Sequence, residues 1–115
     1  MPCTVIVGAF WGDEGKGKII SYLALKDDLD YCVRTGSVNA AHPVWVEGKK
    51  YALHMVPAAF LNPKSRLFIA TGANVHVPKF FEEVELTQVH KRIGLDLQAS
   101  IIEEKHSVQD KASAV

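Results

Sequence analysis

Eight residues near the start of the chain, Trp11-Gly12-Asp13-Glu14-Gly15-Lys16-Gly17-Lys18, combine three glycines, two lysines and two carboxylates. They follow the apolar run Val5-Ile6-Val7-Gly8. A strand that ends in glycine and feeds a helix offers unpaired N–H groups and the positive end of a dipole. Glycines let those amides turn toward an anion without obstruction from a β-carbon. Lys16 and Lys18 add positive charge. The chemistry this suits is phosphate binding. Asp13 is the discordant residue, because an acid inside an anion site repels its ligand. Either a cation neutralises it, or it accepts a proton from a neutral part of a substrate. The stretch also departs from the P-loop pattern G-x-x-x-x-G-K-S/T. Six residues separate Gly8 from Gly15-Lys16, and Gly17 stands where a hydroxyl would hold Mg²⁺. A metal here needs a different ligand, and Asp13 is the candidate.

The elements that must position these groups can be read from periodicity. Thr4 to Val7 is short, β-branched and apolar, which predicts a strand buried on both faces of a parallel sheet. Ile19, Ile20, Leu23 and Ala24 recur at helical spacing, predicting a helix over Lys18 to Lys26 and hence a βαβ unit. Tyr31 to Arg34 and Arg66 to Ala70 read as strands, Thr35 to Asn39 as a loop. Val44–Val46 and Lys50–Met55 flank Glu47-Gly48 as a hairpin. Pro78 opens a helix through about Val89, with Phe80, Phe81, Val84 and Val89 inward and Glu82, Glu83 and Glu85 forming an early, solvated acidic run. Leu97 to Ile102 reads as a last strand. The expected fold class is therefore α/β: a P-loop-like, mostly parallel central sheet with flanking helices, residues 1–115 forming a single domain.

Composition narrows the partners. The 115 residues are 48% hydrophobic, enough for a core, and thirteen basic residues balance thirteen acidic ones. Zero net charge gives no reason to expect nucleic acid or an anionic membrane as partner. No run reaches membrane-spanning length, and no secretory pattern opens the chain. Cys3 and Cys32 form no C-x-x-C pair and read as reduced, buried thiols of a cytoplasmic protein. His54 reads as a strand residue at the sheet surface, and His76, His90 and His106 as solvated. Trp11 reads as a packing residue of the loop. Asp13 also fits a plain helix N-cap, a role compatible with catalysis.

Taken whole, Val5-Ile6-Val7-Gly8-Ala9-Phe10 followed by Trp11–Lys18 resembles the N-terminal signature of the adenylosuccinate synthetases. Asn39-Ala40-Ala41-His42 is similar to that family's Asn-Ala-Gly-His segment, and Lys50 to Pro57 to the strand and proline that follow it. Phe68 to Pro78 resembles a worn version of its glycine-rich stretch, and Ile101-Ile102-Glu103 resembles its compact archaeal-type branch. The likeness covers nearly all of this chain but only the N-terminal portion of the longer family fold. It implies a GTP-dependent ligase of purine biosynthesis, cytoplasmic and homodimeric, that joins IMP and L-aspartate through 6-phosphoryl-IMP and requires Mg²⁺. It further implies Asp13 as the base on N1 of IMP and His42 as the general acid. The IMP contacts would be Asp13, Glu14, Gly15, Lys16, Asn39, Ala40, Ala41 and His42. The GTP contacts would be Gly12, Asp13, Glu14, Gly15, Lys16, Gly17, Lys18, Ala41, His42 and Pro43. Asp13 and the carbonyl of Ala41 would ligate the metal.

Some residues depart from the family pattern. Phe10 replaces glutamine, Ala41 glycine, Pro43 a residue that is commonly threonine, and Ala58-Ala59 a serine-glycine pair. Thr71-Gly72-Ala73-Asn74 lacks the usual glycine order. These departures define the alternative expectation, a catalytically silent nucleotide-binding fragment or truncated relative. The segments that choose guanine and bind aspartate lie beyond the stretch the resemblance covers, so a sheet with an open edge and one uncovered face is also expected.

Overall fold

The structure, a computed structural model, describes residues 3–8, 15–36 and 41–102. Ten elements follow one another: α1 (Lys16–Lys26), β1 (Tyr31–Arg34), β2 (His42–Val46), β3 (Lys49–Leu53), a 3₁₀ turn (Ala58–Leu61), β4 (Arg66–Ile69), β5 (Asn74–His76), α2 (Val77–Thr87), β6 (Ile93–Leu95) and β7 (Ser100–Ile102). The central sheet is parallel, in the order β1-β4-β6. β5 and β7 form a second parallel pair, and β2–β3 an antiparallel hairpin. The mixed, mostly parallel α/β class expected from the sequence is the one observed.

Side-chain alternation explains which sheet face is covered. Leu67 and Ile69 of β4 point into the core with Leu53, Val44, Val56 and Val89. Tyr31, Val33 and Phe68 point the other way, and Val33 stays 61% exposed. Tyr31 and Phe68 touch ring to ring, centroids 6.0 Å apart. The sheet therefore has one buried face and one bare apolar face, as the sequence led us to expect.

α1 starts two residues before the predicted Lys18. Gly15 lies in the left-handed region (φ 79°, ψ 28°) as its N-cap, and among the described residues no side chain caps the helix. The other end of α1 is closed by Asn62, whose Nδ2 donates to the Ala24 carbonyl at 2.8 Å and to Asp28 Oδ1 at 3.0 Å. Arg92 braces the segment after the 3₁₀ turn, donating to the carbonyls of Asn62 (2.9 Å), Ser65 (2.8 Å) and Phe60. α2 begins one residue before Pro78, with His76 as N-cap: its Nδ1 accepts from the Lys79 amide at 3.3 Å.

Four expectations are corrected. Residues 3–8 form no regular element, and Val5 is 77% exposed rather than buried. β-propensity is expressed only where a neighbouring strand completes the ladder, and no described strand pairs with this run. Phe81 turns outward while Phe80, Val84 and Val89 turn inward, because it sits off the apolar stripe. Cys3 is exposed and Cys32 half-buried, both free thiols. Glu83 is buried, so the acidic run of α2 is not wholly solvated, and none of its acids lies in the first turn. Two three-residue strands, β5 and β6, were not read from the sequence, and the last strand is confined to Ser100–Ile102 of the expected Leu97 to Ile102.

Candidate functional site

The described part of the site gathers where α1 begins, where β1 ends and where β2 starts. Gly17 is buried against His42: a β-carbon built on it would lie 2.6 Å from His42 Cβ. Only glycine permits this approach, and it brings the first turn of α1 against the backbone and Cβ of His42. His42 is the first residue of β2, paired in register with Leu53. Burial holds its pKa down to about 4, with the positive charges of Arg34 and Lys16 pushing the same way. The imidazole is therefore neutral at physiological pH. A neutral ring still has one N–H to donate and one nitrogen to accept. His42 Nδ1 is buried and meets no hydrogen-bond partner among the described residues. A buried polar atom left in this way suits a ligand or a water molecule.

Arg34 was not anticipated from the sequence. It ends β1, at the carboxyl edge of the parallel sheet, where open α/β sheets bind their ligands. Its Nη1 donates to the carbonyls of Leu53 (3.0 Å) and Val56 (3.3 Å). Burial lowers its pKa, and Glu83 opposes that shift. Beyond Arg34 the loops after β1 and β4 are tied together: Thr35 Oγ1 donates to the Thr71 carbonyl at 3.2 Å, and the Asn74 amide to the Gly36 carbonyl at 3.1 Å. The small cavity between Arg34, Thr35, His54 and Asn74 measures about 10 Å³, room for one water and not for a nucleotide.

Glu83 was misread as solvated. Helical phase places it between Phe80 and Val84, one turn apart on the inner stripe, and that signal was available. His54 lies just beyond β3, its Nδ1 4.0 Å from Glu83 Oε2, and not in the strand as expected. His90 pairs with Glu85 at the surface, 3.1 Å apart.

Of the residues the sequence assigned, the structure brings Lys16, Gly17 and His42 together. Gly15 caps the helix beside them, and Ala41 directly precedes the histidine. Lys18 is exposed on α1, and Pro43 is exposed on β2 opposite Ala52. Gly12, Asp13, Glu14, Asn39 and Ala40 lie outside the described residues, as do Phe10, Trp11 and His106. Among the described residues no three His, Cys, Asp or Glu side chains gather to hold a metal, and no helix is long and apolar enough to cross a membrane.

A helix led by a left-handed glycine, with Lys16 in its first turn and Arg34 and a neutral histidine nearby, belongs here to a mixed α/β fold with a parallel sheet. The sequence model of the adenylosuccinate synthetases matches residues 5–115, and the chain belongs to that family. It is 42% identical to the adenylosuccinate synthetase of Thermococcus onnurineus and 44% identical to that of Methanococcus aeolicus, each match covering 99% of this chain and 35% of the relative. The chain thus spans about a third of the length of the curated relatives it matches. The fully ligated adenylosuccinate synthetase from Plasmodium falciparum superposes with a TM-score of 0.83 at 36% identity, over 92% of this chain and 25% of that one. A cyanophage S-2L succinoaminodeoxyadenylate synthetase shares the fold, with a TM-score of 0.78 at 22% identity, over 91% of this chain and 31% of that one.

Proposed function

We propose that this chain is the IMP- and polyphosphate-binding portion of an adenylosuccinate synthetase, a cytoplasmic homodimer that ligates IMP and L-aspartate at the expense of GTP. The observation that carries the reading is the start of β2 at His42 packed by its Cβ and backbone on Gly17, under the charges of Lys16 and Arg34. Family membership supports it independently.

Phosphoryl transfer to the 6-oxygen of IMP needs positioning and stabilisation of charge more than covalent help. Gly12, Gly15 and Gly17 with the amides of the α1 start would cradle the phosphates, aided by Lys16, Lys18, Glu14 and the segment Ala41–Pro43. Asp13 would take the N1 proton of IMP as the phosphoryl group arrives. Asn39 and Ala40 would contact IMP. The neutral imidazole of His42 would donate its N–H to the oxygen on which charge builds, and an arriving anion would favour protonating it further. Displacement of the phosphate by the amine of aspartate completes the ligation.

Mg²⁺ prefers one or two protein oxygens with phosphates and water over a full protein cage, a demand that one carboxylate and one carbonyl would meet. Asp13 and the Ala41 carbonyl would hold it, and when bound it would neutralise charge on the phosphates.

The experiment is a phosphate-release assay with IMP, GTP and L-aspartate. Turnover is expected in the full-length protein, and Asp13→Asn there should abolish it. Unchanged turnover in Asp13→Asn would refute the assignment. A second reading, a catalytically silent nucleotide-binding fragment, draws on the residues that depart from the family pattern, Phe10, Ala41 and Pro43. Binding of GTP without any phosphate release would favour it.

A further inference from the structure

The phosphate-site reading makes no use of Glu83, yet the fold buries this carboxylate to 6% exposure. An acid at such depth persists only where it is paired or hydrogen-bonded. Glu83 Oε1 accepts three consecutive backbone amides, from His54 (2.9 Å), Met55 (3.1 Å) and Val56 (3.2 Å). Three N–H groups converging on one oxygen draw the chain into a tight turn directly after β3. Arg34 holds the same turn from its carbonyl side, through Leu53 and Val56. The carboxylate takes N–H groups, the guanidinium takes C=O groups, and Val56 is held by both. The two charges also attract one another. Leu53 in turn pairs with His42 across the hairpin, so the position of the turn sets the start of β2.

We infer that Glu83 is a positioning residue of the phosphate site: it fixes the Leu53–Val56 turn, and that turn anchors the Arg34 guanidinium beside His42. The inference rests on the polyphosphate reading above. It differs from a plain stability role in one respect. Glu83 acts through Arg34, so the effect of losing it depends on Arg34 being present.

The test is a double-mutant cycle read by calorimetry with inorganic tripolyphosphate on the full chain. Glu83→Gln keeps the shape and one acceptor oxygen but removes the charge that makes the three bonds strong. Glu83→Gln and Arg34→Met are each expected to weaken binding about tenfold, and the double variant no further than either single one. Additive losses overturn the inference and leave the polyphosphate reading standing. A natural chain that ignores tripolyphosphate removes that reading, and the inference with it. If Glu83→Gln does not fold, hydrogen exchange on the unmutated chain decides. The amides of His54, Met55 and Val56 should gain protection when tripolyphosphate saturates the chain. Unchanged exchange there, with protection gained at Lys16 and Gly17, overturns the inference.

Discussion

At residue scale the site is governed by His42. Its pKa of about 4 lies below the ordinary 6.5, so the unfolded chain binds a proton there that the folded chain refuses between these values. Stability contributed by the neutral ring is complete above pH 6.5 and falls as pH drops toward 4. Imidazole titration by NMR checks the value directly, and chemical denaturation across that range should show His42→Asn with a flatter pH dependence than the natural chain. Gly17→Ala gains helix propensity but forces a β-carbon to within 2.6 Å of His42 Cβ. A net loss of about 1–3 kcal/mol is expected, with phosphate affinity lost alongside, measured by urea midpoint and calorimetry. The closeness of Lys16 and Gly17 to His42 was expected from the resemblance of their two segments to those of one family, although the strand expected before them is not observed. Arg34 and Glu83 were not legible in the sequence, since their roles come from partners far along the chain: Arg34 meets Leu53 and Val56, and Glu83 meets residues 54–56.

At the scale of elements, local chemistry was a good guide where it closes on itself. The β2–β3 hairpin was readable from Glu47-Gly48, and both residues take positive φ, 50° and 80°. α2 was readable from Pro78 and the inner stripe, apart from Phe81 and Glu83. The start of α1 moved from Lys18 to Lys16 because Gly15, not a polar side chain, forms the N-cap. Asn62 was invisible in the sequence because it ties the end of α1 to a distant loop. It is 4% exposed, and Asn62→Ala strips the Ala24 carbonyl and Asp28 of a donor. A loss of about 1–3 kcal/mol is expected in thermal or urea unfolding, with phosphate affinity unchanged.

For the whole molecule, the notable feature is the bare sheet face of Tyr31, Val33 and Phe68. The chain spans about a third of its relatives' length, and its parallel sheet is covered on one side only. A native chain with this face open should bind the dye ANS, and Val33→Lys should reduce that fluorescence without changing the far-ultraviolet circular dichroism. Equal fluorescence in both would show the dye binds elsewhere. The predicted strand over Thr4 to Val7 belongs to this scale too. Its residues carry the propensity, but pairing is decided by neighbours that a sequence window does not contain.

The central claim is that the start of α1, with Lys16 beside His42, receives a polyphosphate. Calorimetric titration of GTP into the natural chain, Lys16→Ala and Lys26→Ala tests it most directly, because the two lysines mark opposite ends of one helix, about 15 Å apart. The account predicts affinity at least about tenfold weaker for Lys16→Ala, the loss of one charge-assisted phosphate contact, and no change for Lys26→Ala. Equal affinity for the natural chain and Lys16→Ala would contradict it.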